Sequence, residues 1–489
     1  MDVELSYFEI PLCTDPDEGK VELVPWPFLL PSVLVRAMID QGYLSLLVGD
    51  LGHMQGYWNQ LLLDYPGHPA HGQEAQSIPL TLYGDEGNAF RSSWMTFHWQ
   101  PDLSPLLQNS ACSRFIITTV PSSMYVFDEN GINLTLQAAG AVIRDSFNDL
   151  GTRGCQIADR SGDIVLDLRC FVVNFKGDWK YLYQLFCMER YATKEEVCWR
   201  CRATKGTNDP NWSYSNISDT APWRRTLFSE SPWNENVVPT LASLLGFNIQ
   251  MLGVDLLHIF HLGVGRDLCG SAIRIMASKR GYWRGRTQEQ RLKTATQRLK
   301  SYAKQHGYSL AMSKLSKQNL NWKADCFPEL KTKGFDCFVI LRWLVWEIGN
   351  KDIENDLLST ALWSADCWLN LLNKSRMFLT ELEEENRLTL GKLCTTSYAA
   401  LAANAVQGKR FLFRLRPKYH LWHHLAIDVR ASKLNCNIHA TWMDEDSVKR
   451  WMRIKRQVHR RTATENVLRR FLLGLRANLD RGLALVRSS

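Results

Sequence analysis

The chain has 489 residues, 22% of them charged and 45% hydrophobic, with a net charge of +8. That length is too great for one compact core and implies roughly two or three domains, while the composition excludes a disordered or fibrous chain. No run of about eighteen uncharged apolar residues occurs, so a membrane span is not expected, and the acidic start MDVELSYFEIPLC lacks the plan of a secretion signal.

In chain order, residues 1–75 mix short apolar runs with turns and read as an N-terminal lead-in. From Ser77 the pattern changes. IPLTLY reads as a strand closing in a Gly84-Asp85 turn. The β-branched run in CSRFIITTVPSS predicts another strand. NLTLQAAGAVIRDSFNDLG is helical by period, with Leu136, Val142, Ile143 and Phe147 roughly on one face. DIVLDLRCFVVNFK predicts a strand or strand pair, followed by Gly177-Asp178 and a helix. Residues 76–224 therefore read as the first part of a mixed-sheet domain. Residues 225–410 change to helical character, with GRTQEQRLKTATQRLKSYAKQHG stopping at Gly307 and further helices in CFVILRWLVWEIG and SYAALAANAV. Residues 411–489 return to mixed character and end in a basic helix, as the last part of the sheet domain. The expected class is α+β, a mixed sheet interrupted by a large all-α insertion.

Three acids stand where a rigid frame could hold them into a cleft. Asp85 in YGDEGN and Asp178 in FKGDWK follow predicted strands, and Glu445 in TWMDEDSVKRWMRI opens a predicted helix. Two-metal phosphoryl transfer needs hard oxygen ligands of this kind converging on a pair of ions. Taken singly, each acid is a weak signal, since a Gly-Asp after a strand is more often a turn residue and an acid opening a helix is ordinarily a partner for its dipole. The thirteen cysteines are mostly scattered, which suits a reducing compartment. Cys198-Trp-Arg-Cys201 differs, having the spacing of a zinc half-site. Two clusters compete to complete it: His258 with His261, or His420, His423 and His424. Histidines three or four apart on a helix share a face. From Lys449 to Ser489 there are twelve Lys or Arg against Glu465 and Asp480. That imbalance suits a polyanion such as DNA, or a solvated helix face.

The series YGDEGN, GDWKYLYQLF, VCWRC, MLGVDLLHIFHLGV, RPKYHLWHHL and WMDEDSVKRWMRIKRQVHRRT resembles eukaryotic DDE/D cut-and-paste DNA transposases of the CACTA (En/Spm)-like and Plavaka-like type, over about residues 77–465. The resemblance implies an RNase H-like sheet core with a helical insertion before its last catalytic acid. It implies that Asp85, Asp178 and Glu445 hold two Mg²⁺ (or Mn²⁺) ions for phosphodiester hydrolysis and strand transfer. It gives Cys198, Cys201, His420 and His424 to a structural Zn²⁺, and Lys449, Arg450, Arg453, Lys455 and Arg456 to DNA phosphates. The partners it implies are transposon ends, target DNA and a second copy of the chain, in the nucleus and away from membranes. Asp255 is the alternative to Asp178, Asp444 or Asp446 to Glu445, and His258 with His261 to the later histidines. The rival reading is a domesticated, catalytically inactive DNA-binding protein. One departure from the pattern is that residues 1–75 contain no zinc-finger spacing and no clear helix-turn-helix for recognising ends.

Overall fold

The computed structural model describes residues 3–158, 161, 163–233, 236–279, 281–349 and 356–488. They divide into two compact units: a sheet unit of Met1–Tyr191, Phe228–Gly253 and Thr441–Ser489, and a helical unit of Ala192–Leu227 and Val254–Ala440. The architecture is α+β.

The sheet unit begins with a hairpin, β1 (Ser6–Asp15) and β2 (Lys20–Phe28), and three helices, α1 (Pro31–Asp40), α2 (Leu44–Val48) and α3 (Gly52–Leu61). These residues are not a separate lead-in. Leu29 N donates to Ile117 O at 2.8 Å and the Thr118 hydroxyl to Pro27 O at 2.8 Å, which ties the segment to the main sheet.

That sheet has five strands. β3 (Ser77–Ala89), β4 (Ser92–Pro101) and β5 (Phe115–Pro121) form an antiparallel meander, with the short helix α4 (Ser110–Ser113) before β5. Helix α5 (Leu134–Thr152) then leads to β6 (Cys155–Ala158) and β7 (Ile164–Gly177). β7 lies parallel to β3 on the side away from β4, giving the order β5-β4-β3-β7-β6. Beyond α6 (Trp179–Leu185), Leu252 adds an isolated parallel bridge to Phe175.

Central position explains the strand sequences. Ile78, Leu80, Leu82 and Tyr83 of β3 and Val173 and Phe175 of β7 are fully buried, so these strands run apolar instead of alternating. The Asn133 side chain caps α5 by accepting from Leu136 N at 3.0 Å, and Leu136, Ile143, Phe147 and Leu150 make its buried face. One expectation changes here. β3 does not stop at Gly84-Asp85: Asp85 pairs with Thr96, and the hairpin turns at Phe90 and Arg91, both with positive φ (53° and 58°). A two-residue turn of that sense matches the strand twist, here without the usual Asn or Gly.

The helical unit contains α7 (Gly265–Ser278), α8 (Gln288–Gln305), α9 (Gly334–Gly349), α10 (Asp356–Lys374), α11 (Glu381–Gln407) and α12 (Pro417–Ile427). An irregular segment (192–227) and a wide-turn helix (Leu257–Val264) come before α7. Capping boxes start α8, by Thr287 with Gln290, and α11, by Thr380 with Glu383. The unit's bounds differ from the expected 225–410. Residues 228–253 belong with the sheet, where Gly253 N donates to Phe175 O at 3.0 Å. Residues 411–440 belong with the helices, where Arg387 of α11 donates to the carbonyls of Leu425 and Asp428 at 2.6 and 2.7 Å.

Two helices complete the sheet unit, α13 (Trp442–Lys455) and α14 (Ala463–Ser488). α13 lies over β3 at a glycine. A Cβ on Gly87 would come within 2.5 Å of Met452 Cγ and 2.8 Å of Val448 Cγ1.

Candidate metal centre and the strand-end acids

The helical unit holds a group of four metal-ligand side chains. Cys198 and Cys201 sit in a tight turn closed by the antiparallel bridge between Glu196 and Thr204, with Val197 N donating to Ala203 O at 2.9 Å. His420 and His424 are one turn apart on α12, which starts cleanly at Pro417. All four are buried, and one ligand atom from each lies within 4.8 Å of every other. Cys201 Sγ is 3.2 Å from His420 Nε2 and 3.4 Å from His424 Nε2, and the two Nε2 atoms are 3.0 Å apart. A tetrahedral zinc ion, with bonds of about 2.3 Å to sulfur and 2.0–2.1 Å to nitrogen, sets its donors roughly 3.3 to 3.8 Å apart, close to this spacing.

The surroundings fix which nitrogens face inward. His420 Nδ1 donates to Tyr214 O at 3.1 Å, and His424 Nδ1 donates to the Asp428 carboxylate at 3.1 Å. Asp428 is held in turn by Arg200, from inside the C-x-x-C, at 3.1 Å. Both Nε2 lone pairs therefore point at each other and at two sulfurs, in a place water does not reach. That arrangement is unfavourable unless a cation or a proton is shared among them. Burial opposes a charge on His424, but Asp428 and Cys198 outweigh it and raise its pKa to about 9. Burial pushes the Cys198 thiol up, and Cys201 and His424 more than offset this, holding it well below its ordinary value. The group could hold a metal such as zinc as a closed, four-donor structural centre.

The competing histidines are engaged elsewhere. His258 Nδ1 meets Asp255 at 2.5 Å, and His261 is buried edge-on to Phe260 and Phe338. His423 lies between Arg224 (3.1 Å) and the Thr395 hydroxyl (3.3 Å). Asp255, the alternative second acid, is buried and accepts from Leu257 N at 2.8 Å, as a capping residue does.

The three expected acids lie in the sheet unit. Gly84 of β3 pairs with Gly177 of β7, so Asp85 and Asp178 are the next residues on two parallel neighbours at the same end of the sheet. Both glycines are required by Tyr181. A Cβ on Gly84 would sit 2.1 Å from its ring, and one on Gly177 would sit 2.3 Å from it. Both acids are half-buried. Asp85 accepts from the Tyr83 hydroxyl at 3.0 Å and from Glu86 N at 2.7 Å. Asp178 Oδ1 caps α6 by accepting from Tyr181 N at 2.7 Å, and its Oδ2 accepts no hydrogen bond among the described residues. Glu445, half-buried in the first turn of α13, pairs with Lys449 at 2.9 Å. Its level along the sheet is set on both sides. Asp444 reaches Lys176 of β7 at 2.8 Å, and Val448 covers Gly87 of β3. Among the described residues the three carboxylates do not form a group as tight as the Cys₂His₂ one.

Asp444, the alternative to Glu445, has a role that its sequence position does not reveal. It is fully buried between Lys176, Arg114 (3.2 Å) and His98 (3.8 Å). Burial pushes its carboxyl up, but Lys176 and Arg114 hold it far below the usual carboxylate range, so it is a structural anchor and not an open ligand. Asp446 is exposed and accepts from the Ser110 hydroxyl at 2.7 Å. Asp428 and Arg200, behind the Cys₂His₂ group, carry no mark in the sequence, although Asp428 stands four residues after His424 on the same helical side.

The five expected phosphate-binding cations separate. Lys449, Arg453 and Arg456 are exposed, and Arg450 is half-buried against Ser110 Oγ at 3.0 Å. Lys455 needs correction. It is fully buried, with its ammonium 3.4 Å from the centre of the Trp94 ring and donating to the Thr119 hydroxyl, so it is not open to a phosphate. Burial lowers its pKa well below the ordinary lysine value.

Among the described residues no helix is long and apolar enough to cross a membrane. Comparison with models of known protein families gave no match, and comparison with curated proteins gave none.

Proposed function

We propose that the chain is a DDE-type DNA transposase whose sheet unit carries out metal-dependent phosphodiester cleavage and strand transfer. The observation that carries this reading is the Gly84–Gly177 register, which sets Asp85 and Asp178 side by side at the ends of parallel neighbours. The wider topology supports it. A three-stranded meander, a helix, and then a strand parallel to the first on its free side is the RNase H-like plan, and Leu252 bridges β7 where that plan has a further parallel strand. In this reading Asp85, Asp178 and Glu445 hold two Mg²⁺ (or Mn²⁺) ions. Such a pair, when bound, activates the attacking hydroxyl and stabilises the leaving oxygen. The chain's own residues do the rest. The glycine pair lets Tyr181 pack beneath the two aspartates, Asp444 pins α13 by its salt bridges so that Glu445 is held at the level of Asp85, and Arg453 and Arg456 offer charge to the DNA backbone. The Cys₂His₂ centre orders the helical unit.

The test is nicking of supercoiled DNA by the full chain in Mg²⁺ or Mn²⁺. Asp85→Asn, Asp178→Asn and Glu445→Gln should each lower the rate by about a thousandfold or more while circular dichroism stays unchanged, an expectation scaled from removing one essential group of a catalytic unit. Equal nicking by wild type and all three variants would end the proposal. A second reading, a DNA-binding protein without chemistry, is favoured by one observation: each acid already has a partner in its own chain, Tyr83, Tyr181 N or Lys449. It predicts DNA binding without metal-dependent nicking in the wild type.

A further inference from the structure

The geometry points to a second nucleic-acid site, in the helical unit: a cavity of about 430 Å³ lined by Arg274, Lys279, Lys409 and Arg410 that takes phosphates of a polynucleotide strand, with a base or sugar against Phe411. This inference rests on the reading of the chain as a DNA-binding protein and names where the helical unit would contribute. Four cations face one acid, Asp325, across the lining. Among the described residues none of the four forms an ion pair, so no carboxylate neutralises their charge. An unpaired cluster of cations around a concavity concentrates field and attracts a polyanion.

The cavity has a fixed wall. Arg274, near the end of α7, is half-buried; its guanidinium donates to Cys326 O at 3.1 Å and lies 5.6 Å from the centre of the Trp322 ring. It is therefore held in place before any ligand arrives, which reduces the entropy lost on binding. The segment after α11 is pinned too. Lys409 N and Arg410 N donate to Val406 O and Ala405 O at 2.9 and 2.8 Å, and Phe413 N donates to the Ser271 hydroxyl at 2.9 Å. Between these anchors Phe411 is 41% exposed, its ring braced edge-on by Phe327 at 5.4 Å. Two guanidinium forks suit the paired oxygens of a phosphodiester better than a lone carboxylate, and an open aromatic face beside them suits a base. Lysines at helix ends also answer the helix dipole, but that role accounts for neither the half-buried arginine lining the space nor the exposed ring.

Fluorescence anisotropy of the full chain with labelled single-stranded and duplex oligonucleotides, over a salt series, tests the site. Arg274→Gln, Lys279→Gln, Lys409→Gln and Arg410→Gln together should weaken binding about tenfold or more near physiological salt and flatten the salt dependence by roughly three phosphate contacts. Should Arg274→Gln disturb folding, the exposed pair Lys409→Gln with Arg410→Gln should give about half that change. Phe411→Ser should weaken single-strand binding more than duplex binding. Unaltered affinity and salt slope in the combined and paired variants overturns the site, as does binding to anionic phospholipid vesicles alone. Nicking measured on the same samples separates the two ideas. Lost binding with no nicking in the wild type upholds the cavity and removes the nuclease, and unchanged binding with metal-dependent nicking does the reverse.

Discussion

Both units collect residues able to hold metal, but they present them differently. In the helical unit Cys198, Cys201, His420 and His424 are buried, converge within 4.8 Å, and have their outer atoms tied to Tyr214, Asp428 and Arg200. In the sheet unit Asp85, Asp178 and Glu445 are half-buried and spread over two strand ends and a helix, each with a partner of its own. The first arrangement has no open position and little reason to exist without an ion. The second is held by hydrogen bonds and an ion pair that do not depend on a bound ion. A closed four-donor group and carboxylates held one by one by their own chain differ in this way.

The comparison can be broken most decisively at the first centre. Purified chain should carry one zinc, and Cys201→Ala or His424→Ala should lose it and unfold the helical unit cooperatively, at a cost above about 5 kcal/mol, since zinc binding contributes roughly 10–16 kcal/mol in zinc-finger peptides. Metal analysis with thermal melting checks this, and a Cys201→Ala protein that melts like the wild type removes the centre. Asp444→Asn comes next, because it strands the buried Lys176 and Arg114. A loss of about 3–5 kcal/mol is expected in urea unfolding. Its pH signature follows from the depressed pKa. The contribution is complete above the ordinary value of 3.8 and is lost as pH falls below it toward the folded-state value, so the wild type should lose this margin in acid and Asp444→Asn should not. Smaller effects should mark the open acids. Asp178→Ala should cost about 1 kcal/mol through the lost cap, and Asp178→Asn, which keeps the cap, only a few tenths. Lys449→Ala should cost about 0.3–0.5 kcal/mol through its pair with Glu445 and leave zinc content unchanged. A large stability loss at either position would erase the contrast.

How much of this was legible depended on whether the signal was local. The Cys198–Cys201 spacing, the period of α5 and the apolar runs of β5 and β7 are local, and those elements lie close to where the residues suggested. Spacing does not separate His420 and His424 from His258 and His261, because both pairs fit one helix face. The β3–β4 turn gave no signal, since Phe90 and Arg91 take a backbone that Asn or Gly usually supplies. Lys455 read as one of a basic run because charge counting cannot see Trp94, which is far away in sequence and supplies the surface that buries it. Asp444 and Glu445 are neighbours with identical sequence credentials. Only the packing of α13 on β3 turns one inward to Lys176 and leaves the other half-exposed.

The chain passes between the two units at four points, and the sheet unit's last piece, Thr441–Ser489, comes after the whole helical unit. On a ribosome this order imposes a delay. At roughly 5–20 residues per second, about ten to forty seconds separate the emergence of Gly253 from that of Thr441. Throughout that interval the nascent sheet exposes Gly87 without its covering helix, and Lys176 and Arg114 lack Asp444. Such a chain should depend on chaperones during translation, and one stopped after Ala440 should be soluble only in their company.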